Sequence, residues 1–132
     1  MLSGENLQPE ISLTINALPR RGDIWLVNLD PTIGTEIRKT RPAIVVSSDA
    51  IGRLPIKLVA PVTDWKDILA RNAWHIRLEP SAVNGLTKIS AADALQLRGL
   101  DEQRFIRKLG TIEDEIMTRI AAAISLVVEY QA

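Results

Sequence analysis

The sequence predicts an α+β domain: a small curled antiparallel sheet or barrel followed by a C-terminal helix. Strand-like alternation and β-branched runs recur between Ile24 and Leu97, and several short strands in such a span favour a curled sheet or barrel over a parallel sheet. Past residue 110 the pattern changes, and Ile116, Ile120, Ile124, Val127 and Val128 recur at helical spacing. Strands first and helices last is the α+β order. With 132 residues, the chain is one domain, long enough to bury a core without covalent staples.

Residues 1–19 read as an N-terminal extension to a single domain spanning 20–132. Met1–Glu10 is polar, with Gly4 and Pro9, and reads as mobile. Ile11–Asn16 alternates apolar and polar residues, the mark of an extra strand. Ile24–Leu29 is apolar on both faces and so reads as a buried strand. A loop opens at Asp30-Pro31 and contains Gly34. The second strand runs from Pro42 to Ser47 and is rich in β-branched residues. Lys57–Thr63 is the third, and Pro61 within it points to an edge or a bulge. Ala73–Leu78 is the fourth, Asn84-Gly85 marks a turn, and Ile89–Leu97 holds one or two short strands. Asp101–Leu109 is expected to be a short helix, capped by Asp101 and ended at Gly110. The longer helix is expected to open at Thr111, whose side chain can cap the N–H of Asp114, with acids at 113–115 suiting the positive end of the helix dipole.

Composition removes several chemistries. There are no cysteines, hence no disulfide, thiolate metal site or cysteine nucleophile. The single histidine, His75, rules out paired-histidine acid–base catalysis and multi-histidine metal sites. Its mid-strand position favours a structural role. Sixteen basic residues balance sixteen acidic ones, so a nucleic-acid site must be a local patch. No stretch approaches the ~18 apolar residues of a membrane span, and the start lacks the basic-then-apolar pattern of a signal peptide. The expectation is a soluble, cytoplasmic protein.

The link from Asp30 to Thr40 is eleven residues long, where strand connections of ~2–5 are usual. It leads into Glu36-Ile37-Arg38-Lys39-Thr40-Arg41-Pro42. Three cations in four residues make an anion patch in a neutral protein. Residues 20–60 carry a net +3, whereas residues 101–132 carry −2. Pro42 biases Arg41 toward an extended, fixed conformation at the strand–loop border, and a fixed arginine fork suits phosphate. Arg38 and Lys39 are expected on the mobile part of the loop.

Arg21-Gly22-Asp23-Ile24-Trp25, Asp30-Pro31, Gly34-Thr35-Glu36, Lys39-Thr40-Arg41-Pro42-Ala43 and Val59-Ala60-Pro61-Val62-Thr63, continued by Gly85-Leu86, Ser90, Gln96-Leu97-Arg98, Asp101 and Arg104, resemble the MazF/PemK toxin family over roughly residues 20–128. The resemblance implies an SH3-like β-barrel with helices and a homodimer. It also implies a sequence-specific endoribonuclease that cleaves single-stranded RNA (mRNA) with neither metal nor cofactor, and a cognate antitoxin that blocks the RNA groove. It places the catalytic pair at Arg41 and Thr63.

Metal-free RNA cleavage uses the 2′-hydroxyl as nucleophile on the adjacent phosphate, so the site must move protons and stabilise an anionic phosphorane. Arg41 can brace the phosphate bidentately and Thr63 can donate its hydroxyl proton. An arginine is a poor base near pH 7, which fits Arg41 as electrostatic stabiliser and acid. Glu36 has two readings: a direct acid–base role, or a pair with Arg38 or Arg41 that holds the loop. Arg38 and Lys39 are expected to contact RNA. Thr35, Thr40 and Ser48 suit either RNA contact or capping of loop backbone. Gln96 suits either reading a base edge or satisfying buried backbone, and Trp65 either stacking a base or packing. The competing class is a non-cleaving CcdB-type toxin that poisons DNA gyrase. That family depends on a C-terminal tryptophan, and this chain has none after Trp74.

Overall fold

The computed structural model describes residues 18–51 and 54–131. The strand expected over 11–16 lies outside them. Seven strands form one antiparallel sheet: β1 (Asp23–Asn28), β2 (Thr40–Val45), β3 (Ile56–Asp64), β4 (His75–Leu78), β5 (Ser90–Asp93), β6 (Arg98–Asp101) and β7 (Phe105–Thr111). The order across the sheet is β4-β5-β3-β2-β1-β7, with β6 also paired to β3. The path stays open between β4 and β7. One helix, α1 (Asp114–Val127), follows, so the class is α+β as the pattern of elements predicts. No helix among the described residues is long and apolar enough to cross a membrane.

Alternation along the central strands feeds two cores, one on each face. Ile24, Ile44, Ala60 and Val62 point to the face covered by α1 through Met117, Ile120 and Ala123. Trp25, Val27, Ala43, Val45 and Val59 point to the other, which is closed by Leu100 of β6 and by Phe105. Trp25 meets Phe105 edge-on at 5.8 Å, the arrangement the ring quadrupoles favour. This explains why β1 is apolar on both faces: it lies between β2 and β7 with a core on each side.

Two helical expectations are corrected. Asp101–Leu109 forms no helix: β6 ends at Asp101, a single 3-10 turn spans Glu102–Arg104, and β7 follows. Asp101 does cap, but it caps that turn, accepting the Gln103 N–H at 2.9 Å. Phe105 and Leu109 lie four apart, which fits a helix locally; pairing with the otherwise open edge of β1 decides for strand. Thr111 does not cap α1. It ends β7, donating its N–H to Val83 O at 3.0 Å, and Glu113 stands at the helix start without a side-chain cap. At the other end, Tyr130 N–H reaches Ser125 O and Glu129 N–H reaches Leu126 O, a Schellman ending with Glu129 left-handed at φ 58°.

The prolines in β2 and β3 shape the sheet. Val46 N–H bonds Leu58 O, so by two-residue alternation the even residues of β2 direct their backbone groups at β3. Pro42 is the next such position beyond Ile44 and has no N–H to offer. The β2–β3 ladder accordingly runs only from Val45↔Val59 to Ala43↔Pro61. From Val62 onward β3 keeps only its partner on the other side, β5, which there succeeds β6. By the same alternation Pro61 turns its nitrogen the other way, between the end of the β6 ladder at Val59 and the start of the β5 ladder at Val62. Pro61 therefore sits inside the sheet, at a change of partner, rather than at an edge.

Candidate active site

Where β2 and β3 part, a cleft of about 280 Å³ opens. Arg41, Thr63, Thr40, Asp64, Lys88 and Arg107 line it, together with apolar Leu26, Pro42, Val62, Leu86 and Leu109. Arg41 and Thr63, twenty-two positions apart in sequence, thus share one cavity. β2 starts at Thr40, two residues earlier than expected, so Arg41 is held within the ladder opposite Val27. It is half-buried and makes no ion pair among the described residues. Lys88 is paired to Asp64 at 3.1 Å. The wall carrying Leu86 is held by a tight turn. Asn84 Oδ1 accepts the N–H groups of Ser81 and Leu86. Gly85, at φ 68°, lies so close to β7 that a Cβ there would stand 2.2 Å from Leu109 O.

The long β1–β2 link is fastened rather than loose. The Asp30 carboxylate accepts the Lys39 N–H at 3.0 Å, and Leu29 N–H donates to Lys39 O at 2.9 Å. Arg98 donates to Leu29 O at 3.1 Å, and Arg104 donates to the carbonyls of Asn28 and Asp30. Lys39, expected on the mobile part of the loop, has its backbone hydrogen-bonded through both its N–H and its carbonyl, in the left-handed region at φ 69°. Arg38 is exposed, with no ion pair among the described residues.

Glu36, Thr35 and Gln96 belong to a second cleft of about 560 Å³, which Pro61 also lines. Glu36 pairs with neither Arg38 nor Arg41; its Oε1 accepts the Ile33 N–H at 2.6 Å. Gln96 Oε1 accepts the Ile37 N–H at 2.5 Å, and its Nε2 donates to Thr35 O at 3.4 Å. Its amide satisfies loop backbone, the second of its two readings. Ser48 is not brought to either cleft. It lies past the far end of β2, which extends ~13 Å beyond Arg41, and its hydroxyl accepts the Ala50 N–H at 3.0 Å.

His75 is structural in its contacts: Nε2 meets Asp93 Oδ2 at 3.2 Å and Nδ1 meets Asn72 Nδ2 at 3.1 Å. Asp93 Oδ1 in turn accepts the N–H groups of Leu95 and Gln96. Trp65 has the Arg77 guanidinium over its ring at 5.4 Å. No three His, Asp or Glu side chains gather to hold a metal ion among the described residues. Sequence reasoning missed Arg107 and Lys88. The signal for Arg107 was the β-prone Phe105-Ile106 start of the segment taken as helix.

A curled antiparallel sheet with one C-terminal helix, and a cation-bearing cleft where a pair of strands parts, defines the class: a small α+β domain with a cationic cleft. The model of the PemK-like, MazF-like toxins of type II toxin–antitoxin systems matches residues 20–128, and the chain belongs to that family. Endoribonuclease MazF9 of Mycobacterium tuberculosis is 32% identical over 113 residues, covering 81% of this chain and 93% of that protein. Endoribonuclease PemK of Escherichia coli is 28% identical over 108 residues, covering 80% and 81%. The crystal structure of MazF from Deinococcus radiodurans superposes with a TM-score of 0.71 at 22% identity, covering 85% of this chain and 97% of that one.

Proposed function

We propose that this chain is a metal-independent, sequence-specific endoribonuclease that cuts single-stranded mRNA in the cytoplasm as the toxin of a toxin–antitoxin pair. It acts as a homodimer and is silenced by a cognate antitoxin that occupies the cleft. The observation that carries this reading is the meeting of Arg41 and Thr63 in one cleft, with the arginine free of any carboxylate partner among the described residues. The endoribonuclease names of the relatives support it. A gyrase poison has no evident use for that pair.

In the reaction, the 2′-oxygen forms a bond to phosphorus and the bond to the 5′-oxygen breaks, leaving a 2′,3′-cyclic phosphate and a 5′-hydroxyl. The nucleophile's proton leaves to water. Arg41 stabilises the charge that grows on the phosphoryl oxygens and serves as proton source for the departing oxygen, and Thr63 donates to one phosphoryl oxygen. Thr40, Arg38 and Lys39 line the approach for neighbouring nucleotides. Glu36, Gln96 and Thr35 set the shape of the β1–β2 loop beside the cleft.

The test is a long mixed-sequence RNA incubated in EDTA with wild type, Arg41→Ala and Thr63→Ala, with fragment ends mapped. Discrete cuts by wild type that both folded variants lose are expected. A folded, antitoxin-free wild type that makes no cuts overturns the reading.

A further inference from the structure

We infer that Asp93 and His75 are positioning residues for sequence selection: they fix the turn that carries Gln96, and through Gln96 the β1–β2 loop beside the site of cleavage. The inference rests on the ribonuclease reading. From Pro31 to Arg38 the hydrogen bonds among the described residues stay within the loop, except those of Gln96. That part of the loop carries exposed Thr35, Glu36 and Arg38. It lines, with Gln96, the cleft that also contains Pro61, two residues before Thr63. Where the loop stands therefore decides which bases fit beside a phosphate held by Arg41 and Thr63.

Gln96 stands on the turn between β5 and β6. Asp93, the last residue of β5, holds that turn from its start: Oδ1 accepts the N–H of Leu95 at 3.0 Å and that of Gln96 at 3.2 Å. Oδ2 meets His75 Nε2 at 3.2 Å, across a rung of the β4–β5 ladder. The amide nitrogen of Asn72 donates to Nδ1 of the ring at 3.1 Å. This leaves the ring proton on Nε2, pointing at Asp93. Both carboxylate oxygens are thus engaged, and the carboxylate cannot turn without releasing the turn or the ring. The two side chains are nearly dry, 9% exposed for His75 and 7% for Asp93. Burying an acid is costly unless it is fully hydrogen-bonded, and an apolar pair would serve the ladder as well. What the acid adds is a fixed direction for the Gln96 backbone. Misplacement by ~1 Å, caused far from the reacting atoms, is enough to change turnover.

The test measures kcat and KM for an RNA containing the mapped cut sequence and for the same RNA with one base beside the cut replaced. The ratio of the two kcat/KM values is the discrimination. Asp93→Asn sets an amide N–H against a donor on one side or the other, and should lower discrimination ~10-fold, about the effect of one lost hydrogen bond, with the loss on KM. Gln96→Ala should do the same. The double variant should lose no more than the larger single loss, because both substitutions cut one relay. His75→Gln, whose amide can still donate to Asp93, should keep the discrimination that His75→Leu loses. Met117→Ala, in the core under α1, should lower the melting temperature and leave discrimination intact, which separates positioning from stability. If Asp93→Asn does not fold, the two His75 variants decide. Full discrimination in Asp93→Asn or His75→Leu, or losses that multiply in the double variant, would overturn the relay and leave the ribonuclease reading standing. A folded wild type that cuts no RNA overturns both.

Discussion

The two adjoining clefts contain similar residue types and use them in opposite ways. In the cleft of Thr35, Glu36 and Gln96, polar atoms are spent on the protein: Glu36 on Ile33, Gln96 on Ile37 and Thr35. In the cleft of Arg41 and Thr63, two guanidiniums have no carboxylate partner among the described residues. Uncommitted hydrogen-bonding capacity marks where a ligand goes, and committed capacity marks how the loop beside it is held.

The sharpest way to break this contrast is to remove the free guanidinium. Arg41→Ala should lower cleavage by ~10²–10³ with an unchanged melting temperature; a variant that cuts normally would put the chemistry elsewhere. Thr63→Val keeps the volume and removes the hydroxyl, and should cost about 10² in kcat. Gln96→Ala should act on stability, by ~1 kcal/mol for the lost clamp, and blur the cut pattern through the loop; denaturant melts with fragment mapping would show it. Glu36→Gln keeps the oxygen that accepts the Ile33 N–H, so activity should stay within about twofold. A hundredfold loss there would make Glu36 an acid–base participant and erase the distinction between the clefts. Far from both, Glu129→Gly should raise stability by ~0.5–1 kcal/mol, because glycine suits the left-handed helix end.

How much of this was legible follows from range. β1, β2 and β3 were readable because their alternation and β-branched content are local properties. The segment 101–109 was misread because Phe105 and Leu109 satisfy a helical spacing locally, while the deciding partner, β1, lies some eighty residues away. The same error hid Arg107, which as a helical residue had no relation to Arg41. The meeting of Arg41 with Thr63 came through family resemblance alone, since no periodicity links them. Gln96 and Ser48 show the limit for polar residues: side chains that contact a ligand and those that cap backbone are the same chemical types. Only the fold tells which end of β2 a serine flanks.

The missing donor at Pro42 has a consequence for molecular competition. An extended polypeptide laid into the gap between β2 and β3 would seek to complete the sheet, as peptides do at open strand edges. It would meet a rung with no N–H, so main-chain pairing there is interrupted from its first step. Residence in the gap then depends on groups that project from a ligand's backbone. This handicaps indiscriminate strand-like guests, including other copies of the chain in a crowded cell, and favours polyanions whose charges lie along their outer edge.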